Sequence, residues 1–132
     1  MVLALQRATH HTLHALSAAL ADLNLSAAEI NALANLGEGG TLSVRQLSER
    51  TGTRASTLTG LLDRLENRGY LVRELDPSDR RSFRLPLTGL GQEVADRALT
   101  AIADLEREAL ARLDATQLAG SHAVITALQE AC

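Results

Sequence analysis

Lysine is absent from this chain, and all 13 basic residues are arginine. Cysteine occurs once, as Cys132, the last residue. That excludes an intrachain disulfide and a cysteine zinc cluster, and it fits a reducing cytoplasm. There is no tryptophan, and Tyr70 and Phe83 are the only tyrosine and phenylalanine. Two rings are too few for a ligand pocket lined with aromatic rings. No apolar run approaches the length of a membrane span. The opening MVLALQRATHH lacks a basic region and a long apolar block, so it does not read as a secretory signal. A glycine-rich phosphate loop, a nucleophile beside an evident base and a cluster of carboxylates are all missing. The expectation is therefore a protein that is not an enzyme and that carries no cofactor and no metal.

What is present is a chain of 132 residues, 45% hydrophobic and 22% charged, which reads as one globular domain of residues 1–132. Its net charge of −3 is unevenly spread. Residues 1–44 carry −2, residues 45–84 carry +3 and residues 85–132 carry −4. A local basic face can hold phosphates whatever the total charge.

The positive segment is built around TRASTLTGLLDRLENRGY, residues 53–70. Leu58, Leu61, Leu62 and Leu65 recur at i, i+3, i+4 and i+7, the stripe of an amphipathic helix over 54–68. Thr53 is a candidate cap at its start and Gly69 a left-handed stop at its end. The opposite face holds Arg54, Ser56, Thr57, Thr59, Gly60, Asp63, Arg64 and Asn67. These side chains are short and hydrogen-bonding, with arginines at both ends. Such a face suits close approach to a polar surface, and a DNA major groove is the obvious candidate.

Around it the chain falls into elements in order. Residues 2–23 form a first helix with Leu5, Thr9, Leu13, Leu16, Leu20 and Leu23 on one stripe. Its apolar face must pack on later helices or on another subunit. Ser26 and Glu29 form a capping box for a second helix, and Gly37, Gly39 and Gly40 end it. Thr41-Leu42 is a candidate short strand, Ser43 caps a third helix, and Gly52 turns that helix into the next. Two short helices joined by a glycine turn make a helix-turn-helix. A period of two follows. Residues 70–75 and 82–87 are expected as paired strands around the turn at Pro77, with Phe83, Leu85 and Leu87 on one face and Pro86 at an edge. This hairpin is a wing with Arg80 and Arg81 at its tip, where an arginine can enter a narrow minor groove. Thr88 caps a long fifth helix, and Asp114 caps a sixth. The fold class is mainly α with a small β-hairpin wing, a winged helix-turn-helix flanked by helices at both ends.

At residues 76–88 the sequence DPSDRRSFRLPLT resembles the wing signature of the multiple antibiotic resistance regulator (MarR) family, with Asp79, Arg81, Leu85, Leu87 and Thr88 in register. Upstream, LSVRQLSERTGTRASTLTGLLDRLENRGYLVRE looks like that family's third and fourth helices and first wing strand. The resemblance implies a cytoplasmic homodimeric transcription regulator, commonly a repressor relieved by a small-molecule effector, bound to an inverted repeat in double-stranded DNA. Residues 26–87 would be the DNA-binding part, and residues 2–23 and 88–131 the dimerisation part. Helix 54–68 would enter the major groove and wing 76–84 the minor groove. Carried over, Arg54, Ser56, Thr57, Thr59 and Arg64 would face bases or phosphates. Arg81 would be the wing-tip arginine, Asp79 would orient it or brace the hairpin, and Arg80 would meet a phosphate or stay free. An effector pocket would lie near His10, His14, Ile30 and Leu33.

Each assignment has a plainer counterpart. The polar face of helix 54–68 could be a solvated surface, and the tip arginines a soluble turn. His10 and His14 stand at i and i+4, a spacing two metal ligands can use, but two ligands make a poor site. Dimer-interface or pocket-edge histidines fit them better. Nothing near Cys132 would lower its pKa, and it reads as incidental. The competing function is a winged-helix module for protein–protein interaction without specific DNA binding. It is disfavoured because small polar side chains on the helix coincide with arginines on the wing.

Overall fold

The computed structural model describes all residues, 1–132, and the chain divides into two compact units, Met1–Ile102 and Ala103–Cys132. The first unit holds α1 (Val2–Ala19), a 3-10 turn at Ala21–Leu23, α2 (Ala27–Gly37), α3 (Val44–Thr51), α4 (Ala55–Asn67), β1 (Glu74–Leu75), β2 (Phe83–Arg84) and most of α5 (Gly89–Leu110). The second holds the end of α5 and α6 (Ala115–Ala131).

The first unit is organised on α2, which packs against α1, α3 and α4. Ile30, Leu33 and Leu36 of α2 meet Leu47 of α3, the α4 leucines and Val94, Ala95 and Ala98 of α5 in one core. The helix starts follow their caps. Ser26 with Glu29, Ser43 with Gln46 and Asp114 with Gln117 each complete a reciprocal capping box. The Thr88 hydroxyl accepts from the Gly91 N–H at the start of α5.

The stripe expected on α4 is realised in full, since Leu58, Leu61, Leu62 and Leu65 are at most 2% exposed. Each contributes about 1.5–3 kcal/mol by leaving water. Gly69 ends the helix at φ 75°, where its N–H reaches the Glu66 carbonyl and the Tyr70 N–H reaches that of Leu65. That pair of bonds requires the left-handed residue glycine supplies. The start differs from expectation. Thr53 is not the cap; Arg54 occupies that position and makes no side-chain cap bond. The Thr53 carbonyl instead accepts from the Ser48 hydroxyl, and its N–H reaches the Thr51 hydroxyl. The turn between α3 and α4 thus uses Thr53 to close on itself.

The wing is shorter than its alternating pattern. Two residue pairs, Glu74 with Arg84 and Leu75 with Phe83, form regular strand. The same register extends inward through the Val72 N–H to the Pro86 carbonyl and a bridge at Leu71 and Leu87. Pro86 has no N–H to return the bond, and that breaks the ladder. The candidate strand at Thr41-Leu42 shrinks to one bridge between Ser43 and Arg84, with the Leu85 N–H donating to the Leu42 carbonyl. β2 is therefore the middle element here, not the edge. Leu85 is buried, but Phe83 is 41% exposed and leaves the core face expected for it.

In the second unit, α6 has no buried residue. Leu113, Leu118, Val124 and Ile125 are exposed there, as are Val2, Leu3 and Leu5 on α1. No helix is long and apolar enough to cross a membrane.

Candidate nucleic-acid interface

The polar face of α4 stands clear of the core. Arg54, Ser56, Thr57, Thr59 and Arg64 are all exposed. The Thr59 hydroxyl donates to the Ala55 carbonyl, and those of Ser56 and Thr57 make no bond within the chain. At the start of α4 no side chain covers the first N–H groups, and Arg54 stands beside them. Unfilled helix N–H groups next to a cation favour an anion.

The wing tip is a knot of short hydrogen bonds. Asp76 Oδ1 accepts from the Ser78 N–H and hydroxyl, and Asp76 Oδ2 lies 3.3 Å from Arg84 Nε. The Ser78 hydroxyl and N–H, with Arg84 beyond them, hold the Asp76 carboxyl below the usual carboxylate range. Asp79 Oδ1 accepts the Arg81 N–H at 3.0 Å, and its carbonyl accepts the Ser82 N–H. Asp79 therefore contacts the backbone at Arg81 and not its guanidinium, which is the bracing arrangement. The Arg80 and Arg81 side chains are exposed at this tip.

The nine arginines of residues 45–84 separate into two groups. Arg45 pairs with Glu49, Arg64 with Glu29, Arg73 with Asp63 and Glu66, and Arg84 with Asp76. Arg68 donates to the carbonyls of Leu23 and Asn24 and lies 5.0 Å from the Tyr70 ring centre. Arg50, Arg54, Arg80 and Arg81 make no side-chain bond within the chain. Two of these flank the α3–α4 turn and two cap the wing. Arg73 reaches from the base of the wing to α4, with Nη2 at 2.6 Å from Asp63 and Nη1 at 3.2 Å from Glu66. A cleft of about 670 Å³ lies between α3, α4 and the wing; Val44, Thr59, Leu62, Arg73, Arg81 and Phe83 are among its lining.

The structure thus brings Thr59 and Arg81 to one cleft, and it places Arg54, Ser56 and Thr57 on the open face of α4. Arg64, also exposed, is bonded to Glu29 through Nε. Sequence reading missed Arg50, which the polar outer face of LSVRQLSERT could have indicated, and the tie made by Arg73, which only the fold reveals. The four residues expected near an effector pocket differ in exposure. Ile30 and Leu33 are 1% and 0% exposed, because they form the inward stripe of α2, whereas His10 and His14 stand on the exposed part of α1. No three His, Cys, Asp or Glu side chains are grouped so as to hold a metal ion.

A helix-turn-helix with a braced basic wing defines the winged-helix class of DNA-binding folds. The MarR family profile matches residues 22–82. The HTH-type transcriptional repressor Rv2887 of Mycobacterium tuberculosis is 32% identical over 101 residues, covering 76% of this chain and 73% of that protein. YcgE of Bacillus subtilis, an HTH-type transcriptional regulator, is 36% identical over 80 residues, 60% of this chain and 52% of its own. The chain thus matches about half the length of YcgE. Among solved structures, CouR from Rhodococcus jostii RHA1, bound to p-coumaroyl-CoA, superposes with a TM-score of 0.84 at 26% identity, over 95% of this chain and 88% of that one. The chain belongs to the MarR family.

Proposed function

We propose that the chain is a homodimeric, sequence-specific regulator of transcription that binds double-stranded DNA, acting as a repressor released by a small-molecule effector. α4 lies in the major groove and the wing tip in the adjacent minor groove. One observation carries this reading: Arg50, Arg54, Arg80 and Arg81, at the α3–α4 turn and the wing tip, make no side-chain bond within the chain, while Arg68, Arg73 and Arg84 are tied to other elements and Arg64 is held through Nε alone. Phosphate contacts from Arg50, Arg54 and Arg80 supply affinity. Ser56, Thr57, Thr59 and Arg81 supply selection among sequences.

Residues 26–87 are the DNA-binding part, and residues 2–23 and 88–131 join two copies. The apolar side chains uncovered on α1 and α6 support this division. The names of Rv2887 as a repressor and of CouR as bound to a coenzyme A thioester support the repressor and effector readings. His10 and His14 are the members of the expected pocket that remain open to a ligand. The test is selection of duplexes from a random pool. The expected product is an inverted repeat with half-site centres about one helical turn apart. No enrichment, or a monomer by light scattering at micromolar concentration, contradicts the proposal.

A further inference from the structure

Glu29 is the one buried charged residue of the chain, at 6% exposure. Its place in the α2 capping box does not require this. A capping box needs one acceptor oxygen, and the boxes of α3 and α6 obtain it from the exposed amides Gln46 and Gln117. Burying an ionised carboxylate is costly unless every oxygen finds a partner. Here both do. Oε2 accepts the Ser26 N–H at 2.9 Å, and Oε1 accepts Arg64 Nε at 2.8 Å.

The Arg64 side chain is 60% exposed, so the bond to Glu29 fixes its inner edge and leaves both Nη groups unbonded. Arg64 lies back along α4 over Gly60, with Nη1 3.7 Å from the point a β carbon there would occupy. It faces α2, on the opposite flank of α4 from Asp63 and Glu66, which meet the wing through Arg73. A guanidinium held by Nε offers its two Nη groups as a planar fork, the geometry that takes a phosphate with two parallel bonds.

We propose that Glu29 is a positioning residue for DNA binding: one oxygen closes the α2 cap, and the other aims the Arg64 fork at a backbone phosphate beside α4. The inference rests on the reading that α4 enters the major groove. It also gives the acid at this cap a purpose that glutamine could not serve, because an amide satisfying Ser26 through its oxygen turns its NH2 toward Arg64.

The test uses the full chain, a selected duplex and a scrambled duplex, with affinity measured across a salt series. Glu29→Gln is expected to weaken both duplexes about tenfold and to lower the salt slope by about one, as Arg64→Ala does. The double variant is expected to bind no more weakly than Arg64→Ala alone. Ser26→Ala, which loses the cap but not the ion pair, is expected to lower the melting temperature and leave the slope unchanged. A folded Glu29→Gln protein with wild-type affinity and slope overturns the role, and so do losses that add in the double variant. Arg64→Lys, at an exposed helix position, covers the case in which Glu29→Gln does not fold. It keeps the charge without the fork, and wild-type affinity and slope for it also overturn the proposal. A wild-type chain that binds no duplex overturns the DNA-binding reading itself.

Discussion

Charge at a residue is not the same as charge available to a partner. The positive charge of residues 45–84 was read as a basic face, yet Arg68, Arg73 and Arg84 are bound within the fold and Arg64 is held by Glu29 through Nε. Which guanidiniums are spent depends on neighbours far away in sequence, such as the Leu23 and Asn24 carbonyls for Arg68, and no local pattern encodes that. Arg81 is different, since its place two residues after Asp79 at a turn is a local fact. Arg81→Ala is expected to cost about 1–3 kcal/mol of operator binding with no change in melting temperature; unchanged binding in an anisotropy titration would remove its role. Gly91 is a residue the sequence did not flag. A β carbon there would collide with the Tyr70 carbonyl, where the start of α5 crosses the backbone leaving α4. Gly91→Ala is expected to destabilise the chain by about 1–3 kcal/mol or more, read as a fall in melting temperature. A melt at the wild-type temperature would show that the crossing relaxes freely.

Elements were legible where their signals were local. The α4 stripe, the α2 capping box, the caps at Ser43 and Asp114 and the stop at Gly69 were all evident in residue spacing, because helix periodicity and end chemistry act within a few residues. The wing was legible as a hairpin but not in its length. The missing N–H of Pro86 and the extra partner at Ser43 decide that, and the second is a tertiary contact. Thr53 had the right chemistry for a cap, yet its backbone is taken by Ser48 and Thr51 in the turn. The same tertiary dependence makes Arg73 a strut between the wing and α4. Arg73→Ala is expected to leave global stability within about 1 kcal/mol, because the pairs it loses are partly exposed. It should speed protease cleavage at Arg80 and Arg81 and reduce discrimination between duplexes. Cleavage at the wild-type rate would show that the hairpin is braced by its own turn.

For the whole molecule, three carboxyls make folding depend on pH. Burial pushes Glu29 up, but Arg64 and Ser26 together outweigh it and bring its pKa below the ordinary value. The hydrogen bond from Arg97 lowers Asp22, and the Ser78 and Arg84 contacts lower Asp76. A carboxyl whose pKa falls on folding contributes stability that is fully present above its unfolded value, about 4, and is lost as pH drops through its folded value. Melting temperature is therefore expected to be flat near neutral pH and to fall below about pH 4, with a shallower fall in Glu29→Gln. An equally steep fall in that variant would place the acid sensitivity elsewhere.

α1 and α6 leave apolar side chains exposed, and the proposed pairing of two copies would cover them. Two copies would also present two α4 helices and two wings to one duplex, which joins the surface of the molecule to its proposed work. That claim is tested most directly by fluorescence anisotropy. The chain is titrated onto duplex DNA from upstream of its own gene and onto a scrambled duplex, at two salt concentrations. The expected result is tight binding that prefers the upstream duplex and weakens steeply with salt. Weak binding, equal on both duplexes and insensitive to salt, would contradict it.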